Sequence, residues 1–388
     1  MYKLGFGMMR LPLTDPKEQT QVDREQARAM MDAYLEQGFT YVDTAYFYHG
    51  GESERVVKDI LTSRYPREKY VLADKMPLAN FKNKGTAEDQ AKVFDEQLEK
   101  CGVAYFDRYL LHCLNTENYE TAKRLDTFAF LSGKKAEGKL RHLGFSFHDK
   151  AEVLDRILTE HPETEFVQLQ INYLDWEDER IQSRKCYETA VRHGKKVVVM
   201  EPVKGGRLAK LPAEAEKLLR DIHPDWSPAS WAIRFAASLP EVEVVLSGMS
   251  DMAQVMDNTG YMKDFTPLTE AEKEALAQVA EILSALPAVE CTACRYCVDG
   301  CPRQIPIPDY FALFNSDQMA LRQGLPVKTE EYQRLAAGGG KASACVSCRQ
   351  CEQACPQHLK VVDWLSRVAK SYVGLHIRGF YSHTLVRR

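Results

Sequence analysis

Nowhere in the 388 residues does an apolar run approach the roughly 18 residues that a membrane-spanning helix needs. The opening MYKLGFGMMRLP is broken by Gly5, Gly7, Arg10 and Pro12 where a secretion signal would carry an unbroken apolar core, so a cytoplasmic setting is expected. Positive charge is not in excess. With 51 Lys and Arg against 55 Asp and Glu, the net charge is −4, and neither nucleic acid nor a membrane is an expected partner. A third glycine is missing from Gly5-Phe6-Gly7-Met8-Met9-Arg10, where an open dinucleotide-binding sheet would write G-x-G-x-x-G. The hydrophobic fraction of 45% and the charged fraction of 27% are ordinary globular values and exclude wholesale disorder. The length suits two domains, or one large barrel with an appendage.

β-rich runs recur at Tyr2–Met8, Phe39–Ala45, Tyr70–Met76, Asp107–Cys113, Leu140–Phe147, Phe166–Tyr173, Lys196–Val203 and Val242–Met249. Their spacing is that of a strand plus a crossover helix. Between them lie stretches of helical period, such as Ala27, Met30, Met31, Tyr34 and Leu35, or Ala91, Phe94 and Leu98. Eight strands alternating with helices predict a (β/α)₈ TIM barrel. A doubly wound sheet shows the same alternation, but the incomplete glycine signature disfavours it. The expected division is a barrel over 1–265, a linking helix over 266–286 and a C-terminal, mostly helical domain over 287–388. Gly338-Gly339-Gly340 reads as a flexible approach within that last part.

Eight of the eleven cysteines fall in that domain, as Cys291-x₂-Cys294-x₂-Cys297-x₃-Cys301-Pro302 and Cys345-x₂-Cys348-x₂-Cys351-x₃-Cys355-Pro356. This is the bacterial ferredoxin run written twice, and the segment resembles two-cluster ferredoxins with a long helical insert. In such proteins the fourth cysteine ligates the other cluster. The implied [4Fe-4S] ligands are Cys291, Cys294 and Cys297 with Cys355, and Cys345, Cys348 and Cys351 with Cys301. Paired zinc sites are the alternative, but they leave the third cysteine and the Cys-Pro of each run unexplained. Disulfides do not suit a reducing compartment. Cys101, Cys113 and Cys186 read as small buried hydrophobes.

In a TIM barrel, reacting groups gather at the C-terminal strand ends. Asp43 closes the second strand, Lys75 the third and His112 the fourth, and Tyr48 follows Asp43 by five residues. A phenol alone is a reluctant acid near neutrality. An adjacent ammonium would lower its pKa, a carboxylate would keep that ammonium charged, and an imidazole could orient a reacting oxygen. Singly, each residue has a plain alternative as an interior ion pair or a satisfied polar group. Four together on consecutive strands suit protonation of a carbonyl oxygen as hydride reaches its carbon.

The run Asp43-Thr44-Ala45-x-x-Tyr48, followed by Gly51-Glu52, with Lys75 and His112 on the following strands, resembles the aldo-keto reductase superfamily. The architecture is similar to its members with a ferredoxin-like extension. The resemblance implies NAD(P)H-dependent reduction of an aldehyde or ketone, or oxidation of the alcohol. Tyr48 would be the general acid, Lys75 and Asp43 would tune it, and His112 would position the carbonyl. Ser146 and Gln170 match residues that hold the nicotinamide carboxamide. Val203 to Leu208, including Gly205, matches the pyrophosphate loop, and Ser247, Gly248, Ser250, Gln254 and Asn258 match the adenosine-phosphate segment. The sequence departs from the family at Phe147, commonly Asn, and at Met200, often an aromatic. Gln254 stands where NADPH-preferring relatives place Arg, which leans towards NADH unless Lys204 or Arg207 compensates. His148, Trp176 and Tyr46 either line the mouth or pack in loops. Because hydride moves two electrons and a [4Fe-4S] cluster one, a flavin-linked route to a ferredoxin-type partner is the alternative.

Overall fold

The computed structural model describes residues 2–16, 18–286, 288–322 and 328–382; Met1 and Pro287, where the two expected domains begin, lie outside them. Eight strands, β1 (Leu4–Gly7), β2 (Tyr41–Asp43), β3 (Val71–Met76), β4 (Phe106–Leu114), β5 (Leu140–Phe147), β6 (Phe166–Gln170), β7 (Lys196–Met200) and β8 (Val242–Ser247), pair in parallel and in sequence order. Pairing of β1 with β8 closes the barrel. The expected fold is therefore the observed one. Most strands stop short of the apolar runs that announced them; β6 ends at Gln170 rather than Tyr173 and β7 at Met200 rather than Val203. At those ends the backbone leaves the ladder to build the rim loops.

Side chains alternate across a strand, so every second residue points into the barrel. Tyr41, Ala73, Leu110, Phe166, Val198, Val244 and Leu246 form one buried apolar cluster, each from its own strand apart from the β8 pair. Gly144 makes room for it, because a Cβ there would sit 2.6 Å from the Phe166 ring. Two residues further along the same inward rows come Asp43 after Tyr41, Lys75 after Ala73 and His112 after Leu110. The ladder sets Asp43 beside Ala73 and Lys75 beside Leu110. One period thus fills the barrel floor with hydrocarbon and carries polar groups to its C-terminal rim.

The opposite faces of the strands pack on the helices through a second, larger cluster that includes Met30, Tyr34, Phe94, Leu111, Phe145 and Val245. Local signals fix the helix ends. Asp23 accepts from the Gln26 N–H ahead of Arg24–Glu36, and Thr86 and Asp89 form a reciprocal capping box ahead of Ala87–Cys101, which Gly102 ends in the left-handed region at φ 66°. Each cap is worth on the order of 1 kcal/mol.

The chain divides into two compact units. The barrel unit holds the chain up to Val203 together with Leu219–Ala277; the second holds Lys204–Leu218 and the chain from Gln278. Lys204–Leu218, read from the sequence as part of the barrel, thus groups with the C-terminal part. The second unit is helical, with Ile307–Arg322, Thr329–Gly338 and Val361–Ser382 as its longer described helices beside part of Glu270–Ser284. Its apolar core includes Ile305, Tyr310, Phe311, Leu359 and Leu365, with Tyr332 stacked on Tyr372 at 4.4 Å. The triple glycine is not a loose approach. Gly340 donates its N–H to the Gln304 carbonyl at 2.9 Å, and a Cβ there would fall 2.0 Å from the Arg303 carbonyl, so the backbones meet where only glycine fits. Among the described residues no helix is long and apolar enough to cross a membrane.

Candidate active site and metal centres

Lys75 is fully buried. Its Nζ lies 2.7 Å from Asp43 Oδ1, 2.6 Å from the Thr44 carbonyl and 3.5 Å from the Tyr48 hydroxyl. A buried ammonium is costly unless a counter-charge and hydrogen bonds surround it, and Asp43 and Thr44 supply both. Tyr48 stands on a short turn, Tyr48–Gly51, whose left-handed His49 and Gly50 swing the ring back over the rim, with Lys75 Nζ 5.0 Å from the ring centroid. His112 meets that ring edge-to-face at 6.1 Å. The four residues expected to converge do converge, and all are buried.

The electrostatics differ from the sequence-based expectation at one point. Burial, then the Asp43 carboxylate, holds the phenol well above its ordinary range although the Lys75 ammonium stands beside it. Burial also raises Asp43, partly offset by Lys75. His112 is held neutral, first by burial and then by the Lys75 ammonium. Its Nδ1 is buried with no hydrogen-bond partner. An unpaired lone pair costs less than an unpaired N–H, which favours the tautomer whose donor is Nε2. The site in this state holds a protonated phenol, an ammonium and a neutral imidazole.

The residues expected to hold a nicotinamide are placed less uniformly. Ser146 Oγ accepts from the Cys113 N–H at 2.8 Å, which leaves its hydroxyl hydrogen to donate. Gln170 donates to Asp175 Oδ2 at 2.9 Å. Ser247 Oγ accepts from Asn258 at 2.9 Å, Ser250 Oγ donates to the Arg10 carbonyl at 2.7 Å, and Gln254 Oε1 accepts from the Ser250 N–H at 2.8 Å. Gly248 packs against the Arg10 side chain, where a Cβ would come within 2.6 Å. The expected pyrophosphate loop is divided: Val203 closes the barrel unit, whereas Gly205 and Leu208 belong to the second, with Gly205 on the Thr292 backbone. Lys204 and Arg207, the candidate phosphate cations, lie 3.8 and 3.1 Å from Glu290. Trp176 packs edge-to-face on Phe235 at 5.6 Å, and Tyr46 lies under the Lys100 ammonium at 4.4 Å, both as ordinary packing; His148 is close enough to His112 to oppose its protonation. Sequence reading missed two neighbours of Tyr48. Cys113, taken for a plain buried hydrophobe, is half-buried and left-handed at φ 56°, and Glu201 is left-handed at the same φ; both raise the Tyr48 pKa. Only the non-glycine backbone strain marks them, and that has no sequence signature.

In the second unit, Cys291, Cys294 and Cys297 line one cavity together with Cys355 of the other run. Cys351 is surrounded by Cys345 and Cys348. Burial, then the neighbouring sulfurs of Cys291, Cys355 and Cys351, pushes Cys297 up to about 12. The two runs repeat one backbone conformation. Ala293 and Arg295 are left-handed, as are Ser347 and Arg349, and the third residue after each fourth cysteine, Gln304 and His358, is left-handed too. Six non-glycine residues at positive φ cost roughly 1 kcal/mol each, strain that a fold retains where geometry at a site demands it. The Cys291 sulfur accepts from the Ala293 N–H at 3.4 Å. Tetrahedral zinc would draw sulfurs to about 3.8 Å from one another. Among the described residues no three cysteine sulfurs lie within 4.8 Å of one another.

A closed parallel barrel with a buried, charge-compensated lysine beside a tyrosine and a histidine at its rim defines a barrel oxidoreductase. The sequence profile of the Aldo/keto reductase family matches residues 3–281, and that of a 4Fe-4S dicluster domain matches residues 290–359. The chain belongs to the aldo/keto reductase family and carries a C-terminal 4Fe-4S domain. It is similar to the uncharacterized oxidoreductase YqkF of Bacillus subtilis, 23% identical over 71% of this chain and 91% of that protein. Norsolorinic acid reductase B of Aspergillus parasiticus is 28% identical over 37% of this chain, a span that is only 39% of that protein's length. The holo form of aldo-keto reductase AKR11C1 from Bacillus halodurans superposes with a TM-score of 0.54 at 25% identity, covering 71% of this chain and 91% of that one.

Replacing Lys75 by Met leaves the Asp43 carboxylate buried and unpaired. Lys75→Met should lower stability by roughly 3–5 kcal/mol in chemical denaturation, and a loss below about 1 kcal/mol would show that the pair is not the buried one described. Cys355→Ser should remove about one cubane's iron and sulfide and leave the other in place, read by iron and sulfide analysis after anaerobic purification. Loss of neither would remove Cys355 from the ligand set.

Proposed function

We propose that the chain is a nicotinamide-dependent carbonyl reductase, working in either direction between an aldehyde or ketone and its alcohol, and that its second unit carries two [4Fe-4S] clusters. The observation that carries this reading is the fully buried Lys75 ammonium, paired with Asp43 at 2.7 Å and standing 3.5 Å from the Tyr48 hydroxyl. When bound, the nicotinamide supplies the hydride and the clusters supply one-electron transfer.

Tyr48 holds its proton in the resting site and delivers it to the substrate oxygen as negative charge builds there. The resulting phenolate is the state that Lys75 favours, so ammonium and phenol act in sequence rather than by acidifying the resting group. Asp43 keeps Lys75 charged and fixed. His112, neutral, donates a hydrogen bond that orients the carbonyl. The Ser146 hydroxyl and Gln170 hold the carboxamide, and Val203, Ser247, Gly248, Ser250, Gln254 and Asn258 of the barrel unit form the phosphate side of the cofactor site; Gly205 and Leu208 belong to the second unit. Gln254, standing where NADPH-preferring relatives often place Arg, supports NADH over NADPH.

We assign Cys291, Cys294, Cys297 and Cys355 to one cluster and Cys345, Cys348, Cys351 and Cys301 to the other. The proposed division is a reductase domain over 1–265, a linking helix over 266–286 and a ferredoxin-like domain over 287–388. A reducing, oxygen-poor cytoplasm accompanies this reading, because all eight thiols must remain available for ligation. The second reading, a flavin-linked enzyme passing single electrons to a ferredoxin-type partner, draws its support from the two matched cysteine backbones. A yellow, fluorescent extract from anaerobically purified protein would favour it.

Tyr48→Phe separates catalysis from a scaffold role. It should lower kcat for aldehyde reduction by about 10²–10⁴-fold with either nicotinamide, measured as loss of reduced-cofactor absorbance. Unchanged turnover would take Tyr48 out of the mechanism.

A further inference from the structure

Three segments of the barrel rim meet at one buried side chain that the reaction does not use. His49 follows Tyr48 directly and is 6% exposed. Its Nε2 lies 3.0 Å from the Met8 carbonyl, where the chain leaves β1, and its Nδ1 lies 3.1 Å from the Gln19 carbonyl. Gln19 belongs to a small hairpin in which Leu13 pairs antiparallel with Val22 and Thr14 donates its N–H to the Gln21 carbonyl at 2.9 Å. The same hairpin packs on the residue after His49, since a Cβ on Gly50 would fall 2.7 Å from the Thr20 side chain. His49 itself is left-handed at φ 54°, a strained angle for a residue with a side chain.

A carbonyl oxygen only accepts, so each ring nitrogen can bond its partner only by donating. A neutral imidazole carries one N–H and the imidazolium two. The neutral ring therefore makes one of these bonds and turns a lone pair towards the other carbonyl; the imidazolium makes both. The described charged and titratable groups on the elements around the ring are Arg10 beside Met8, Asp15 and Glu18 in the hairpin, Tyr48, and Glu52, which Arg24 engages at 3.2 Å and Arg55 at 2.9 Å. Burial lowers the ring from its ordinary value; the two carbonyls pull it back in part, and Arg10 adds to the lowering. The neutral ring is thus the form near pH 7, and the second bond comes with the proton in more acidic solution.

We propose that His49 is a positioning residue for Tyr48, its ring tying the turn that carries the phenol to the end of β1 and to the hairpin, through one bond when neutral and two when protonated. Tyr48 and His49 share a peptide bond, and the left-handed angles at His49 and Gly50 set the direction in which the phenol leaves the backbone. Lys75 is held independently, by Asp43 and the Thr44 carbonyl, so its 3.5 Å approach to the Tyr48 hydroxyl depends on the turn for the other half of its geometry. At the base of the same segment the Thr44 and Ser53 hydroxyls bond at 2.8 Å, and His49 fastens its far end.

This inference rests on the reading of Tyr48 as the proton donor, and its test has two independent arms. In the full-length protein with ¹⁵N-labelled histidine, nuclear magnetic resonance from about pH 8 down to about pH 4 should show one imidazole, missing from His49→Gln, that passes from one nitrogen-bound proton to two, both slow to exchange with water. An imidazole that stays neutral over that range, or whose protons exchange as fast as those of an exposed histidine, overturns the paired bonds, whatever the enzyme turns over. In kinetics near pH 7, His49→Phe removes both donors and should lose roughly 10–100-fold in kcat with KM within about twofold. His49→Gln, whose amide reaches the place of Nε2 and donates to the Met8 carbonyl, should keep kcat within about threefold. A His49→Phe enzyme as fast as the wild type overturns the positioning role. Should His49→Phe fail to fold, His49→Gln decides alone: a tenfold loss of kcat in it overturns the role. If the wild type reduces no carbonyl, the reading of Tyr48 falls while the resonance titration still decides the bonds.

Discussion

An ammonium taken out of water must be matched by a counter-charge, and the barrel rim is arranged around that constraint at Lys75. The barrel floor beneath it is hydrocarbon, so no solvent can offset the charge from below. Asp43, the next inward position beyond Tyr41 on the adjacent strand, is where the ladder brings a carboxylate within 2.7 Å. Burial and the Asp43 charge together hold the resting Tyr48 phenol well above its ordinary range. The same burial makes His112 neutral and therefore a donor rather than a cation. Proton inventory, not only distance, fits the rim for carbonyl chemistry.

The second unit meets a comparable constraint with sulfur. Buried thiols resist ionisation, and Cys297 and Cys351 are both pushed up by their surroundings, to about 12 and about 11. Repetition of the same left-handed residues in both cysteine runs is a cost taken twice in the same places. Convergence of three sulfurs from seven residues needs those reversals, and Ala293 and Arg295, like Ser347 and Arg349, are not the glycines that would adopt them freely.

Much of this was legible in the chain. Apolar, β-rich runs recurring at the spacing of a strand plus a crossover helix carried the barrel, and the cysteine spacing carried the metal domain. Asp43, Lys75 and His112 could be read together because each ends a strand. What escaped was set by tertiary approach. Gly340 looked like a hinge but is a point of backbone contact, and Lys204–Leu218 looked like barrel loop but groups with the second unit. The sign of the Tyr48 shift could not be read either, since an ammonium's influence depends on who already neutralises it. Glu54 and Gln97 carry no motif, and only the approach of the helix Ala87–Cys101 to the helix Ser53–Val57 and to β3 brings Gln97 to Glu54 and the Lys75 carbonyl.

The central claim is that burial and the Asp43 charge keep Tyr48 protonated in the resting site. The most direct measurement is a titration of a ¹³C-labelled Tyr48 phenol by nuclear magnetic resonance in the wild type and in Asp43→Asn. The account predicts a wild-type phenol that ionises above the ordinary tyrosine value of about 10, and a lower value once the Asp43 charge is gone. A wild-type phenol ionising at or below that ordinary value would contradict it.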